Sequence, residues 1–370
     1  TKELYLTVSN LGQGRFIDDQ GQSPATGSNI VRKIYVNTTG LAEPSTAGWS
    51  SPSALQPVTN ATLQMALQKI NEYTNKVDDH GSYTFVITYS EVADNKLLDE
   101  YTGATAAYAL RKLRNDYSGD CITVRRTSPA GSSNIGFDAD GNVDTAAIET
   151  FCGNGDGFVQ TWFDQIGSNN VTQLSSASQP KICSAGSVIT LNSKPAVQFD
   201  GSNDSLATSG SVDLNSNINE LIVAWVGSVT NLESGNNMVS HWGSSTSVQV
   251  FQVQLTASND NLRWTHRYSN GSMATADSGS ATSSGTQAII VGRSVNGTHE
   301  AEFDGTTTAG TTVSAAPNNA TTQFRIGARA DNQAGPHQGV TQEVVVWSRS
   351  TAADDADDIS DDINTFYSTY

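Results

Sequence analysis

At 370 residues the chain has room for one large domain and a smaller one. Only 15% of its residues are charged, glycine is plentiful at 32, and the formal net charge is −17. Such a chain is repelled by nucleic-acid phosphates and anionic lipid surfaces, and no stretch approaches the roughly 18 apolar residues that span a bilayer, so neither a nucleic-acid partner nor a membrane span is expected.

The opening TKELYLTVSN has no basic region followed by an apolar one, so no signal peptide is read there. An earlier signal already removed, or an initiator Met lost before Thr1, would each account for the first residue. Leu4, Leu6 and Val8 alternate with polar neighbours and predict a strand, as does the run IVRKIYV over 30–36. After a Pro/Ser/Gly-rich piece containing Trp49, Leu63, Leu67, Ile70, Tyr73 and Val77 recur at helical spacing behind Thr59 or Asn60 as cap. The run YTFVITY over 83–89 predicts another strand. Residues 1–92 therefore read as a small α+β domain without a catalytic cluster, which suits attachment or assembly.

Residues 93–370 read differently. The alanines Ala104, Ala106 and Ala107 predict a helix over 97–113. A strand follows over 121–126, and then a short helix over 145–151 with Asp144 as its cap. FVQTWF over 158–163 predicts a strand with Trp162 in the core. Asp164 and Gln165 follow it and are expected to hold a turn, with Asn169 and Asn170 close behind. From Pro195 onward short strands dominate: PAVQF, ELIVAWVGSV, SVQVFQVQL, LRWTHRY, AIIVGRSV, HEAEFDG, TQFRIGAR and VTQEVVVWS. Many short strands joined by turns make the fold mainly β, a sandwich or barrel. The end, 350–370, predicts an acidic helix capped by Thr351, with Ile359, Ile363 and Phe366 as its apolar stripe and its aspartates on a solvated face.

Three cysteines, Cys121, Cys152 and Cys183, lie at spacings unlike a zinc site. Three buried thiols are expected, with one disulfide plus a free thiol as the alternative. Asp138, Asp140, Asn142, Asp144 and Glu149 occupy positions 1, 3, 5, 7 and 12 of a stretch that has the spacing of a calcium loop. Position 6 is Val143 rather than Gly, and Asp144 competes as a helix cap, so a turn leading into a capped helix is the other reading. No cofactor beyond that candidate calcium is implied.

The segment from Leu97 to Leu206 carries a resemblance. Its LLDEYTGATAAYALRKLRNDYSGDCITVRRTSP, SNIGFDADGNVDTAAIETFCGNGDGFVQTWFDQIGSNNVTQ and KPAVQFDGSNDSL resemble the start of the catalytic domain of the arabinofuranosidase B family. That domain is a concanavalin A-like jelly-roll sandwich, and similar modules occur in structural proteins of bacteriophages. The resemblance extends over about 270 residues. It implies a concanavalin A-like sandwich preceded by the small α+β domain. It also implies where a catalytic pair would lie. Retaining glycosidases need two carboxyls about 5–5.5 Å apart. Aligning on Trp242-Gly243 of VSHWGSST puts Thr246 at the family's nucleophilic Glu, and a hydroxyl cannot replace it without a neighbouring base. A displaced nucleophile at Glu233 is the alternative. The acid/base Asp corresponds to Asp331, followed by Asn332, in IGARADNQAGPHQG. The family's disulfide partner for Cys152 before Phe158, and its vicinal Cys-Cys, are absent.

The resemblance thus implies a sandwich scaffold without its nucleophile. Sugar recognition stacks aromatic faces on ring C–H groups and hydrogen-bonds hydroxyls. The candidates are Asp331 with Asn332, His241 with Trp242, and Trp264 with His266 and Tyr268. The last three alternate, so they share one strand face, either an open platform or the core. Asp331-Asn332 has a bland reading too, as a pair holding its own loop. The leading expectation is a non-catalytic virion surface protein of a bacteriophage. Residues 1–92 would bind other virion proteins, the sandwich would present a glycan-binding face, and the assembly would be a homo-oligomer. The alternatives are a secreted arabinofuranosidase-like hydrolase and a cellular carbohydrate-binding adhesion protein.

Overall fold

The computed structural model describes residues 96–370, apart from 215–218, 233–234, 257–258, 296, 317 and 354, together with three strands nearer the N-terminus. The chain divides into two compact units, Thr1–Asn95 and Lys96–Tyr370. In the first unit β1 (Lys2–Ser9) pairs antiparallel with β3 (Ser82–Tyr89), whose other edge takes β2 (Ser45–Thr46). Leu4, Leu6 and Val8 lie in β1 as the alternation predicts. The strand expected over 30–36 and the helix bearing Leu63 to Val77 lie outside the described residues.

The second unit runs through β4 (Ala104–Ala109), β5 (Ile122–Arg126), β6 (Gly131–Ile135), β7 (Gly157–Trp162), β8 (Val171–Thr172), β9 (Lys181–Ser184), β10 (Ser187–Val188), β11 (Thr190–Leu191), β12 (Lys194–Pro195) and β13 (Val197–Asp200). It continues with β14 (Leu206–Val212), β15 (Glu220–Val229), β16 (Asn237–Trp242), β17 (Gln249–Leu255), β18 (Leu262–Arg267), β19 (Met273–Asp277) and β20 (Gln287–Val295). The last strands are β21 (Thr298–Phe303), β22 (Thr306–Ala309), β23 (Thr322–Ile326) and β24 (Gln338–Arg349). They form an antiparallel β-sandwich. Its first sheet has the order β22-β21-β20-β15-β24-β4, with β13 sharing the start of β24. Its second sheet has the order β19-β18-β17-β16-β23-β14-β8-β7-β5-β6. The strands β9 and β13 link β7 to β24 and close one side.

Between the sheets lies the main core, with Tyr108, Trp162, Phe199, Trp225, Phe251, Trp264 and Phe324 fully buried. Close packing fixes the large rings. A Cβ on Gly292 of the first sheet would lie 2.3 Å from the Trp264 indole, so only glycine lets that ring span the core. A second core covers the outer face of the first sheet. There Ile222, Ala224, Ile289, Val291, Val345 and Trp347 pack under the helix Ala356–Tyr367 through Ile359, Ile363 and Tyr367. Each of those helix side chains is worth about 1.5–3 kcal/mol in burial.

Two sequence expectations are corrected. The helix predicted over 97–113 is one turn, Leu97–Glu100, followed by β4. The alanines sit in the strand that ends the first sheet beside β24, with Ala106 in the main core and Ala107 and Ala109 facing the second one, which Val345 and Trp347 also line. Tertiary packing overrides helix propensity. The C-terminal helix begins after Asp355 rather than Thr351, with no side-chain cap. The short helix Thr145–Cys152 is capped as expected, the Asp144 carboxylate accepting from Ala147 N at 2.9 Å.

Candidate functional site

The loop after β7 is a structural brace. Trp162 is buried, and the Asp164 carboxylate accepts from the backbone N–H groups of Ala107, Ile166, Gly167 and Asn169. Gln165 accepts from Leu113 N and donates to the carbonyls of Ala109 and Arg111. The stretch thereby locks β4 and its exit, as expected of a turn-holding pair. Cys121, Cys152 and Cys183 are all buried free thiols. Burial pushes the Cys152 thiol up to about 12, helped by its hydrogen-bonded neighbour Cys183.

The loop with calcium spacing is occupied by its own backbone. Asp138 accepts from the N–H groups of Asp140 and Asn142, Asp144 caps the helix, and Glu149 reaches Val188 N. Among the described residues no three His, Cys, Asp or Glu side chains converge as metal ligands. The structure therefore does not gather Asp138, Asp140, Asn142, Asp144 and Glu149 around one point.

The aromatic candidates separate. Trp264, His266 and Tyr268 face inward and are at most 1% exposed, so they form core rather than an open platform. His266 lies between the rings of Trp264 and Tyr268, at 6.0 and 5.1 Å. Neither of its nitrogens has a partner, and burial with the nearby His299 lowers it to about 3. His241 is also interior, packed on Phe251 and Phe324, with Nε2 donating to the carbonyls of Val212 and Thr322. Burial lowers it to about 4. Trp242 lies outside the main core cluster but is itself 5% exposed, with the Arg267 guanidinium 5.3 Å above its ring.

Asp331 and Thr246 belong to different ends of β16. Thr246 is exposed at the tip of the β16–β17 hairpin, beyond the Trp242–Gln249 pair. The Asp331 loop leaves β23 through Gly327, whose φ of +94° and 2.4 Å approach to the Phe199 ring require glycine. It is anchored by Gly327 N to Met238 O, Ala330 N to Ser240 Oγ and Asn237 N to Gly335 O. Arg329 clamps both Asp331 oxygens, at 2.6 and 2.9 Å, and Asn332 accepts from Ala334 N. Both side chains thus hold their own loop. Glu233 lies outside the described residues.

The outer face of the second sheet carries a feature that motif reading missed. A cross-strand row runs Ala207, Arg325, Ser240, Gln252, Thr265 and Thr275 from β14 to β19. Its middle is deeply set: Ser240 is 0% exposed, Thr265 1%, Gln252 5% and Arg325 8%. The Arg325 guanidinium donates through Nη1 to Ser205 Oγ at 2.7 Å and through Nη2 to Gln323 Oε1 at 2.9 Å. Its Nε and the Gln252 Nε2 have no partner. Burial alone lowers Arg325 from the ordinary arginine range, with no carboxylate among the described residues opposing it. Gln254, the Arg263–Asp277 ion pair, and Arg267 over Trp242 flank the row. The only sequence signal was alternation in TQFRI, which opposes Arg325 to Phe324 and Ile326. Chemically the middle of the row gathers amide and guanidinium donors and hydroxyls beside one indole, all deeply set. These are the groups of polar-ligand recognition, with no acid/base pair among them.

No protein-family model matches the chain, and no curated protein matches it. Among solved structures it is similar to an arabinofuranosidase complexed with arabinofuranosyl-α-1,2-xylobiose, at 14% identity and a TM-score of 0.47, over 70% of this chain and 62% of that one. A GH54 α-L-arabinofuranosidase with a cyclic sulfate inhibitor gives 15% identity and 0.46 over the same shares, 70% and 62%. The CBM40 of the Ruminococcus gnavus IT-sialidase bound to α2,3 sialyllactose gives 12% and 0.34, over 45% of this chain and 96% of that one. The chain thus spans about 62% of the length of the arabinofuranosidases it matches.

Proposed function

We propose that residues 96–370 form a non-catalytic carbohydrate-recognising sandwich and that its binding surface is the outer face of the second sheet. The carrying observation is the buried polar row with unpartnered donors at Arg325 Nε and Gln252 Nε2. A buried donor left without an acceptor costs free energy, and ligand hydroxyls or carboxylates supply acceptors. The locked Asp331 and the outlying Thr246 argue against a retaining mechanism, which needs two carboxyls about 5–5.5 Å apart. A glycan array with the intact chain tests the reading, and binding to no glycan would defeat it. An aryl arabinofuranoside assay tests the catalytic alternative: no p-nitrophenol release is expected. Release that disappears in Asp331→Asn would establish the hydrolase instead.

In the fuller proposal the chain is a bacteriophage surface protein. Residues 1–92 attach it to other virion proteins, and homo-oligomeric display multiplies weak glycan contacts. The polar, acidic composition supports an exterior position. Mass spectrometry of purified particles tests this. Absence of the chain from assembled particles would remove the virion placement and leave the cellular adhesion reading.

A further inference from the structure

We infer that Arg325 receives a carboxylate carried by the ligand, so that the glycan recognised by this face is an acidic one. The inference rests on the carbohydrate-binding reading above.

The argument begins with charge. The chain has 37 acidic residues against 20 lysines and arginines, so carboxylates are in surplus. The other deeply buried arginines each take one: Arg111 pairs with Glu343 at 2.7 Å, Arg293 with Glu220 at 2.9 Å and Arg349 with Asp355 at 2.7 Å. Arg325, at 8% exposure, has only a hydroxyl and an amide. A buried guanidinium without an anion is costly, and in a chain this acidic it is easily relieved by one substitution. An anion that arrives with the ligand would supply the missing partner.

Shape narrows the anion. Nη1 donates to Ser205 and Nη2 to Gln323, and Nε has no partner. The Nε–Nη2 edge of a guanidinium matches the two coplanar oxygens of a carboxylate side-on, as it does in the Arg329–Asp331 pair. Gln252 lies two strands from Arg325, across Ser240, or roughly 10 Å at the usual interstrand spacing. Its free Nε2 therefore reaches another part of the same saccharide, a ring hydroxyl. The Arg263–Asp277 pair at 2.5 Å is already neutralised and adds no second anion site.

The test uses the intact chain on an array of neutral, carboxylated and sulfated glycans, followed by calorimetric titration of the best binder. Carboxylated glycans are expected to lead. Reducing their carboxylate to the alcohol should weaken binding about tenfold or more. Arg325→Gln should cost as much on the acidic glycan and nothing further on the reduced one. Without ligand, Arg325→Gln should melt no lower than the parent, and a large drop would make Arg325 a structural group and overturn the inference. Equal binding of neutral glycans, sulfated glycans alone, or undiminished binding by Arg325→Gln would overturn it too, while leaving the carbohydrate reading standing. Binding to no glycan would defeat both.

Discussion

The two outer faces of the sandwich treat buried charge in opposite ways. On the first sheet Glu343 is 0% exposed and accepts from both Arg111 nitrogens at 2.7 and 3.0 Å, with the Tyr367 hydroxyl as a third donor. Glu220, also 0% exposed, ties Arg293 to Arg349 at the far ends of β20 and β24. These networks hold the C-terminal helix and three strands in register, and every charge in them has a partner. On the second sheet Arg325, at 8% exposure, has no counter-charge among the described residues. The first pattern is what a structural face requires. The second fits the proposal that a ligand supplies part of that face's chemistry.

That contrast can be broken by substitution. Removing one member of a buried pair costs about 3–5 kcal/mol, because the survivor stays buried and uncompensated. Glu343→Ala should therefore show the largest loss of unfolding free energy in a denaturant titration. If it costs less than 1 kcal/mol, the first face is not held by charge.

The interior histidines give a smaller, pH-dependent effect. His266→Phe should stabilise by about 1–3 kcal/mol, since it removes buried nitrogens without partners. His266 is lowered from 6.5 to about 3 by burial, so it contributes stability above pH 6.5 that is lost as pH falls towards 3. The gain from the substitution should accordingly be larger at pH 5 than at pH 7.5. Asp204 behaves inversely. Burial, with Asp200 beside it, raises it from 3.8 to about 7, so its protonated form favours the fold and stability is lost as pH rises from 3.8 to about 7. Asp204→Asn should gain more relative to the parent at pH 8 than at pH 5. Thermal melts at the two pH values check both signs.

Asp144→Ala should cost about 1 kcal/mol through loss of the helix cap, with calcium making no difference to either melt. The smallest signal concerns the thiols. Cys121, Cys152 and Cys183 should react with a thiol reagent only after unfolding, three per chain, and rapid reaction in the native protein would contradict their burial.

The sequence reached the β-sandwich because period-two alternation and turn chemistry are local. ELIVAWVGSV is β15, residue for residue, and the Asp144 cap needs only four neighbouring residues. It failed where distant contacts decide. Ala104 to Ala109 reads as helix until β24, more than two hundred residues away, pairs with it as a neighbouring strand. The aromatic run at Trp264, His266 and Tyr268 shows one shared face but not which way it points; Gly292, in the opposite sheet, settles that. Arg325 was the least legible. Alternation turns it outward, but its depth and its lack of a carboxylate depend on Ser205, Ser240 and Gln323 around it.

The most direct measurement makes one substitution on each face. Arg111→Met and Arg325→Met exchange the same side chains at similar burial, and denaturant unfolding without ligand compares them. Arg111→Met should destabilise by several kcal/mol, because Glu343 is left alone. Arg325→Met should be neutral or stabilising, because no carboxylate depends on it. Comparable losses at both positions would show that Arg325 is held by the fold itself, and would contradict the assignment of that face to a ligand.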